Sequence, residues 1–180
     1  MSRIRRLTVA ATLTLALFAA QAASGASAPT PTPAQFEGQT IDLAQGWGQA
    51  RACLVYQQAG IVECFRDRAG LQAREQQLAA SGVLPRVSAA AACSSPLRLS
   101  TDIYYGGREL ALYDRGYWQN LSTWSFDNQT SSYKVGGCGV HLADYANGGG
   151  SWYPGNTSAG WWEPFMLSGW DNRISSVYLQ

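Results

Sequence analysis

Two hexapeptides in the second half of the chain have the residues to hold a hard cation: Asp127-Asn128-Gln129-Thr130-Ser131-Ser132 and Asp171-Asn172-Arg173-Ile174-Ser175-Ser176. Each supplies a carboxylate, an amide oxygen, two serine hydroxyls and the backbone carbonyl of the variable third residue. All are oxygen donors of the kind calcium takes, roughly six to eight at a time and in flexible geometry. Zinc would call for nitrogen or sulfur ligands, and the chain has one histidine and four cysteines. Asp, Asn and Ser also make ordinary turns by bonding their own backbone, and for one copy that is the commoner use. Two copies at an unchanged spacing, 44 residues apart, point instead to a shared geometric demand.

Other chemistry is sparse. His141, in the strand-like run "CGVHLADY", reads as a structural residue, and no H-E-x-x-H, G-x-S-x-G or Cys-His arrangement is present. Asp144 and Glu163 could be put forward as a carboxylate pair for glycoside hydrolysis, but nothing in the sequence fixes their separation. The chain is therefore not expected to be an enzyme. A net charge of +1 gives no basic field for nucleic acid and no acidic tail.

The elements that must position the two phrases follow from the rest of the sequence. Residues 1–28 carry Arg3, Arg5 and Arg6, an apolar run from Leu7 to Ala20 and a small-residue segment, the pattern of a secretory signal peptide. The apolar run is too short to span a membrane, so the mature protein is expected to be extracellular. Residues 29–39, with "PTPTPAQF", read as a solvated spacer. Residues 40–82 read as a small hairpin followed by a helix with Asp67 as N-cap and Gly82 as its stop. In that helix Leu71, Arg74, Glu75 and Leu78 share one face and leave a narrow apolar stripe. Residues 83–92 read as a linker.

Four cysteines in an exported chain imply disulfides, with three pairings open. "CLVYQQAGIVEC" reads as a hairpin turning at Ala59-Gly60, which favours Cys53–Cys64 and leaves Cys93–Cys138. From Cys93 onward short apolar runs alternate with Gly, Asn and Asp clusters and carry six of the seven tryptophans, the texture of an all-β domain. "LSTDIYYGG" (residues 99–107) aligns with "LADYANGGG" (residues 142–150), so the duplication extends beyond the acidic phrase. Four strands per unit suit a Greek key, and two units can share one sandwich core.

Both "DNQTSS" and "DNRISS" resemble the (Asn/Asp)-(Asn/Asp)-x-x-(Ser/Thr)-Ser calcium motif of the microbial βγ-crystallins. "LSTDIYYG" is similar to that family's hairpin signature, with Tyr104 and Gly106 in place and Leu99 at the first aromatic position. In "LADYANGG", Leu142 and Asn147 replace both aromatics and Gly149 is kept. The resemblance covers residues 93–180. It implies a mainly β protein, a two-Greek-key βγ-crystallin-like sandwich preceded by the hairpin-plus-helix region. It further implies two calcium ions held by side chains of Asp127 and Asp171, carbonyls of Gln129 and Arg173, and hydroxyls of Ser131 and Ser175. Asn128, Asn172 and hairpin carbonyls near Ser100 and Ala143 are supporting candidates. With about one carboxylate per site, affinity is expected around 10⁻⁶ to 10⁻³ M.

Relatives on this fold include a secreted metalloproteinase inhibitor and killer-toxin-like proteins, which makes protease inhibition the alternative function. Trp161, Trp162 and Phe165 are expected to fill the sandwich core; exposed, they would offer a contact patch for an extracellular protease or a cell-wall component. The sequons at Asn120, Asn128 and Asn156 are read as incidental, and a monomer is expected.

Overall fold

A computed structural model describes residues 30–84 and 92–180. The expected signal peptide and most of the expected linker lie outside the described residues. Strand β1 (Pro33–Phe36) turns back on β2 (Gln39–Asp42) through Glu37 and Gly38, both with positive φ. A short 3-10 turn at Leu43–Gln45 follows, capped by Asp42, whose carboxylate accepts the Ala44 and Thr32 amides at 3.0 and 2.7 Å. β3 (Ala52–Tyr56) and β4 (Ile61–Phe65) form the expected hairpin, with Cys53 opposite Cys64 in register and joined to it by a disulfide. Helix α1 (Arg68–Ala80) starts where Asp67 accepts the Gly70 amide at 2.8 Å.

The expected spacer is in part a strand. Pro33 tolerates this because it is the first residue of β1 and lies outside the parallel ladder that begins at Gln35. A larger correction concerns the two regions. β3 runs parallel to β6 (Glu109–Asp114), Ala52 opposite Glu109 through Val55 opposite Leu112, so the N-terminal strands extend one sheet of the β domain. That eight-stranded sheet has the order β10-β8-β5-β6-β3-β4-β1-β2, and the opposing sheet is β7-β11-β9. The remaining strands are β5 (Ala92–Ser100), β7 (Trp118–Asn120), β8 (Ser132–Lys134), β9 (Val140–Ala143), β10 (Trp162–Glu163) and β11 (Ser176–Leu179).

Because β3 is central, alternate side chains serve two cores. Cys53 and Val55 face the sandwich with Leu110 and Leu112. Ala52, Leu54 and Tyr56 face α1, where Leu71 and Leu78 meet Ala111 and Tyr113. The polar members of the helix stripe are ionic: Arg74 pairs with Glu63 at 2.6 Å, while Glu75 takes Arg98 at 2.5 Å and the Tyr113 hydroxyl at 2.9 Å. Arg98 also reaches the buried Glu109, as does Arg68. The other junction is the Asp114 carboxylate, which accepts the Gln57 and Gln58 amides at 2.7 and 3.1 Å. Burial pushes that carboxyl above its ordinary range, against the pull of those two amides.

The duplication is visible in the strand order. The first unit is β5, β6, β7, β8; the second is β9, a single bridging residue Trp152, β10 and β11. The third strand of each unit crosses over: β7 pairs with β11 of the second unit, and β10 with β8 of the first. Cys93 and Cys138 are disulfide-bonded as expected. Leu99, Phe126, Tyr133, Leu142, Ile174 and Val177 fill the core between the sheets. Trp161, Trp162 and Phe165 do not: they are 42%, 60% and 51% exposed. β10 is only two residues long and lies at the sheet edge, so its neighbourhood faces solvent, while Tyr153, Met166 and Trp170 from the same connection turn inward.

Candidate metal centre

Each acidic phrase lies in the loop entering the last strand of its unit, and the two loops cross. The Asn128 amide donates to Ile174 O at 2.9 Å, and the Asn172 amide to Thr130 O at 3.0 Å. Both asparagines are in the left-handed region, φ 53° and 54°, a conformation Asn adopts more readily than most residues. This places the first serine of each phrase beside the other loop. Ser131 Oγ is 3.5 Å from Asn172 Oδ1, and Ser175 Oγ is 3.3 Å from Asn128 Oδ1. Both serines are buried, yet these contacts are at the long end of the hydrogen-bond range.

The second serine of each phrase has a different task. Ser132 Oγ donates to Asp102 O at 2.7 Å and accepts the Tyr105 amide at 3.0 Å. Ser176 Oγ donates to Tyr145 O at 2.6 Å and accepts the Gly148 amide at 2.9 Å. Each latches its unit's folded hairpin onto the strand that follows the loop. The Ser100 and Ala143 carbonyls accept the Ser131 and Ser175 amides, both at 2.9 Å, and so register the hairpins against the loops.

Oxygen donors for a cation are therefore assembled in two related places. The Asp127 and Asp171 carboxylates each meet the amide of the following asparagine, at 3.1 and 3.2 Å, and neither has an ion-pair partner among the described residues. Together with the weakly engaged Ser131 and Ser175 hydroxyls, this donor set fits a hard, oxygen-seeking ion such as calcium. Among the described residues no cluster of three His, Cys, Asp or Glu side chains forms, so an ion bound here would draw on hydroxyl, amide and carbonyl oxygen as much as on carboxylate.

The third positions differ. The Arg173 guanidinium turns to Asp144 at 2.6 Å and lies 4.8 Å from the Trp170 ring. Gln129 Oε1 accepts from Arg108, and its Nε2 donates to Ser125 O at 3.1 Å. Burial, aided by Arg51, lowers the affinity of the Arg108 guanidinium for its proton from the ordinary value. Asp144 is thus committed to Arg173, and Glu163 is on β10. His141 lies on the three-stranded sheet, with its ring 4.7 Å from that of Trp152 and Nε2 2.8 Å from Gln180 Nε2.

The latch serines could have been found from the repeat, since both phrases end in the same residue. Trp47 and Arg108 could not: neither has a counterpart in the other unit, where Ser151 aligns with Arg108.

No protein-family model matches the chain, and no curated protein does. Among solved structures the chain is similar to a beta gamma crystallin from Ciona intestinalis, at 24% identity over 47% of this chain and 98% of that one, with a TM-score of 0.40. A double mutant of a betagamma-crystallin domain from Clostridium beijerinckii is 26% identical over 47% of this chain and 94% of that one, TM-score 0.39. A betagamma-crystallin domain from Flavobacterium johnsoniae is 18% identical over 47% of this chain and 92% of that one, TM-score 0.37. Residues 93–180 form a two-sheet sandwich of two Greek-key units with exchanged third strands.

Proposed function

We propose that this is an exported calcium-binding protein whose crossed loops each take one ion, calcium serving to clamp the sandwich. The observation that carries the reading is the reciprocal crossing, in which each loop's buried serine hydroxyl lies within 3.5 Å of the other loop's asparagine beside an uncompensated aspartate. Asp127, Ser131 and the Gln129 carbonyl from one loop and Asp171, Ser175 and the Arg173 carbonyl from the other would hold the two ions, each ion taking help from the loop that crosses it. The bound ion supplies a fixed positive charge that holds the two loops together. Export is supported by the two disulfides, which persist in oxidising compartments.

The test is calorimetric titration of calcium into the mature, chelator-treated protein, with thermal melts alongside. Two binding events with a raised melting temperature are expected; a site held at 100 times its dissociation constant contributes about 2.7 kcal/mol. Ser131→Ala and Ser175→Ala should each weaken one event. No heat and no thermal shift would leave the paired phrases as turn chemistry alone.

A further inference from the structure

The N-terminal unit touches one of the crossed loops. Trp47, 3% exposed, donates its indole N–H to Trp124 O at 2.5 Å and packs its ring 5.6 Å from that of Phe126, the residue just before Asp127. Arg108 lies over the same pair, its guanidinium 5.1 Å from the Trp47 ring and 5.8 Å from Phe126, and it donates to Gln129. Ser125 Oγ donates to Leu43 O at 2.5 Å. Residues 43–47 therefore hold the loop from Trp124 to Phe126 on one side, and Arg108 carries that hold to Gln129.

In the second loop the equivalent contacts come from its own repeat. Trp170 takes the place of Phe126 and packs on Tyr153 at 5.4 Å and under Arg173, which is anchored to Asp144. Arg173 also donates to Gly169 O at 3.3 Å, as Gln129 does to Ser125 O.

We propose that Trp47, acting with Arg108, is a positioning residue for the first calcium loop, so that the N-terminal unit is coupled far more strongly to the site served by Ser131 than to the one served by Ser175. The inference rests on the calcium reading above. A loop held in place before the ion arrives has less ordering entropy to lose on binding. Coupling is reciprocal: an ion in the first loop must in turn tighten the docking of residues 43–47.

The experiment uses the full mature chain. In a Ser175→Ala background, which reports the first site, Trp47→Ala should weaken calcium binding about tenfold or more; in a Ser131→Ala background, which reports the second, it should change it by less than about twofold. Ser125→Ala, which removes only the hydroxyl to Leu43, should act in the same direction with a smaller effect and guards against a Trp47 variant that fails to fold. Calcium-free hydrogen exchange gives a separate readout: both variants should speed exchange at residues 126–131 and leave 170–175 unchanged. Equal weakening of both sites, or none, in a protein that still takes two ions would overturn the coupling and leave the calcium reading intact. Absence of calcium binding to the wild type would overturn that reading, and exchange alone then decides positioning, with unchanged or equal rates in the two loops ruling it out.

Discussion

In the first hairpin Tyr104 takes the left-handed conformation at φ 54°; in the second, Asn147 takes it at φ 55°. Asparagine adopts that conformation cheaply and tyrosine does not. The tyrosine is held because its amide donates to Pro164 O at 2.7 Å, the next amide is latched by Ser132, and its ring meets Phe165 edge-on at 6.3 Å. Asn147 is held by exchanging hydrogen bonds with Asn120, at 2.7 and 2.9 Å. What the duplication preserves is the backbone and its serine latch, and each unit finds its own side-chain means of support.

Four outcomes test that contrast. The largest concerns the residue before each acidic phrase: Phe126→Ala should cost about 4 kcal/mol and Trp170→Ala about 3, since Phe126 is fully buried beneath the N-terminal unit and Trp170 remains 9% exposed. Urea unfolding of calcium-free protein measures both, and equal losses would mean that N-terminal cover adds nothing. Next are the disulfides. Replacing Cys93 and Cys138 by serine, which opens a span of 45 residues, should cost about 4 kcal/mol, and replacing Cys53 and Cys64, a span of 11, about 3.

The latch serines should behave alike. Ser132→Ala and Ser176→Ala each remove two hydrogen bonds made by a buried serine and should each cost about 2 kcal/mol; a large difference in chemical denaturation would show that the two hairpins are not held by the same device. The smallest effect is Asn147→Tyr. It removes the exchange with Asn120 and puts an aromatic residue in the left-handed region without the partners Tyr104 has, and should lower stability by about 1 kcal/mol.

The acidic phrases could be read from sequence because their chemistry recurs at a fixed interval, and both disulfides because Cys53 and Cys64 flank a local turn. Contacts between segments distant in the chain could not. Nothing local to "ACLVY" says that it pairs in parallel with "ELALYD", so the N-terminal residues read as a separate region. The stretch around Pro33 suggested a spacer because it has almost no core-forming residues, and only the register shows that its proline is harmless at the start of a strand. Trp161, Trp162 and Phe165 were assigned to the core by residue type, although burial there is set by a two-residue edge strand. Trp47 has no copy elsewhere in the chain, so the repeat that exposed the acidic phrases was silent about its support.

The parallel pairing of β3 with β6 also bears on how the protein is made. Synthesis runs from the N-terminus, so the ribosome releases Ala52–Tyr56 well before Glu109–Asp114 exists, and all five residues of that segment end up buried. Until β6 emerges, the nascent chain carries an apolar strand with one edge open, the kind of surface that recruits a neighbouring chain. A strand pairing so dependent on distant sequence closes slowly, which lengthens the time for which that edge stays open.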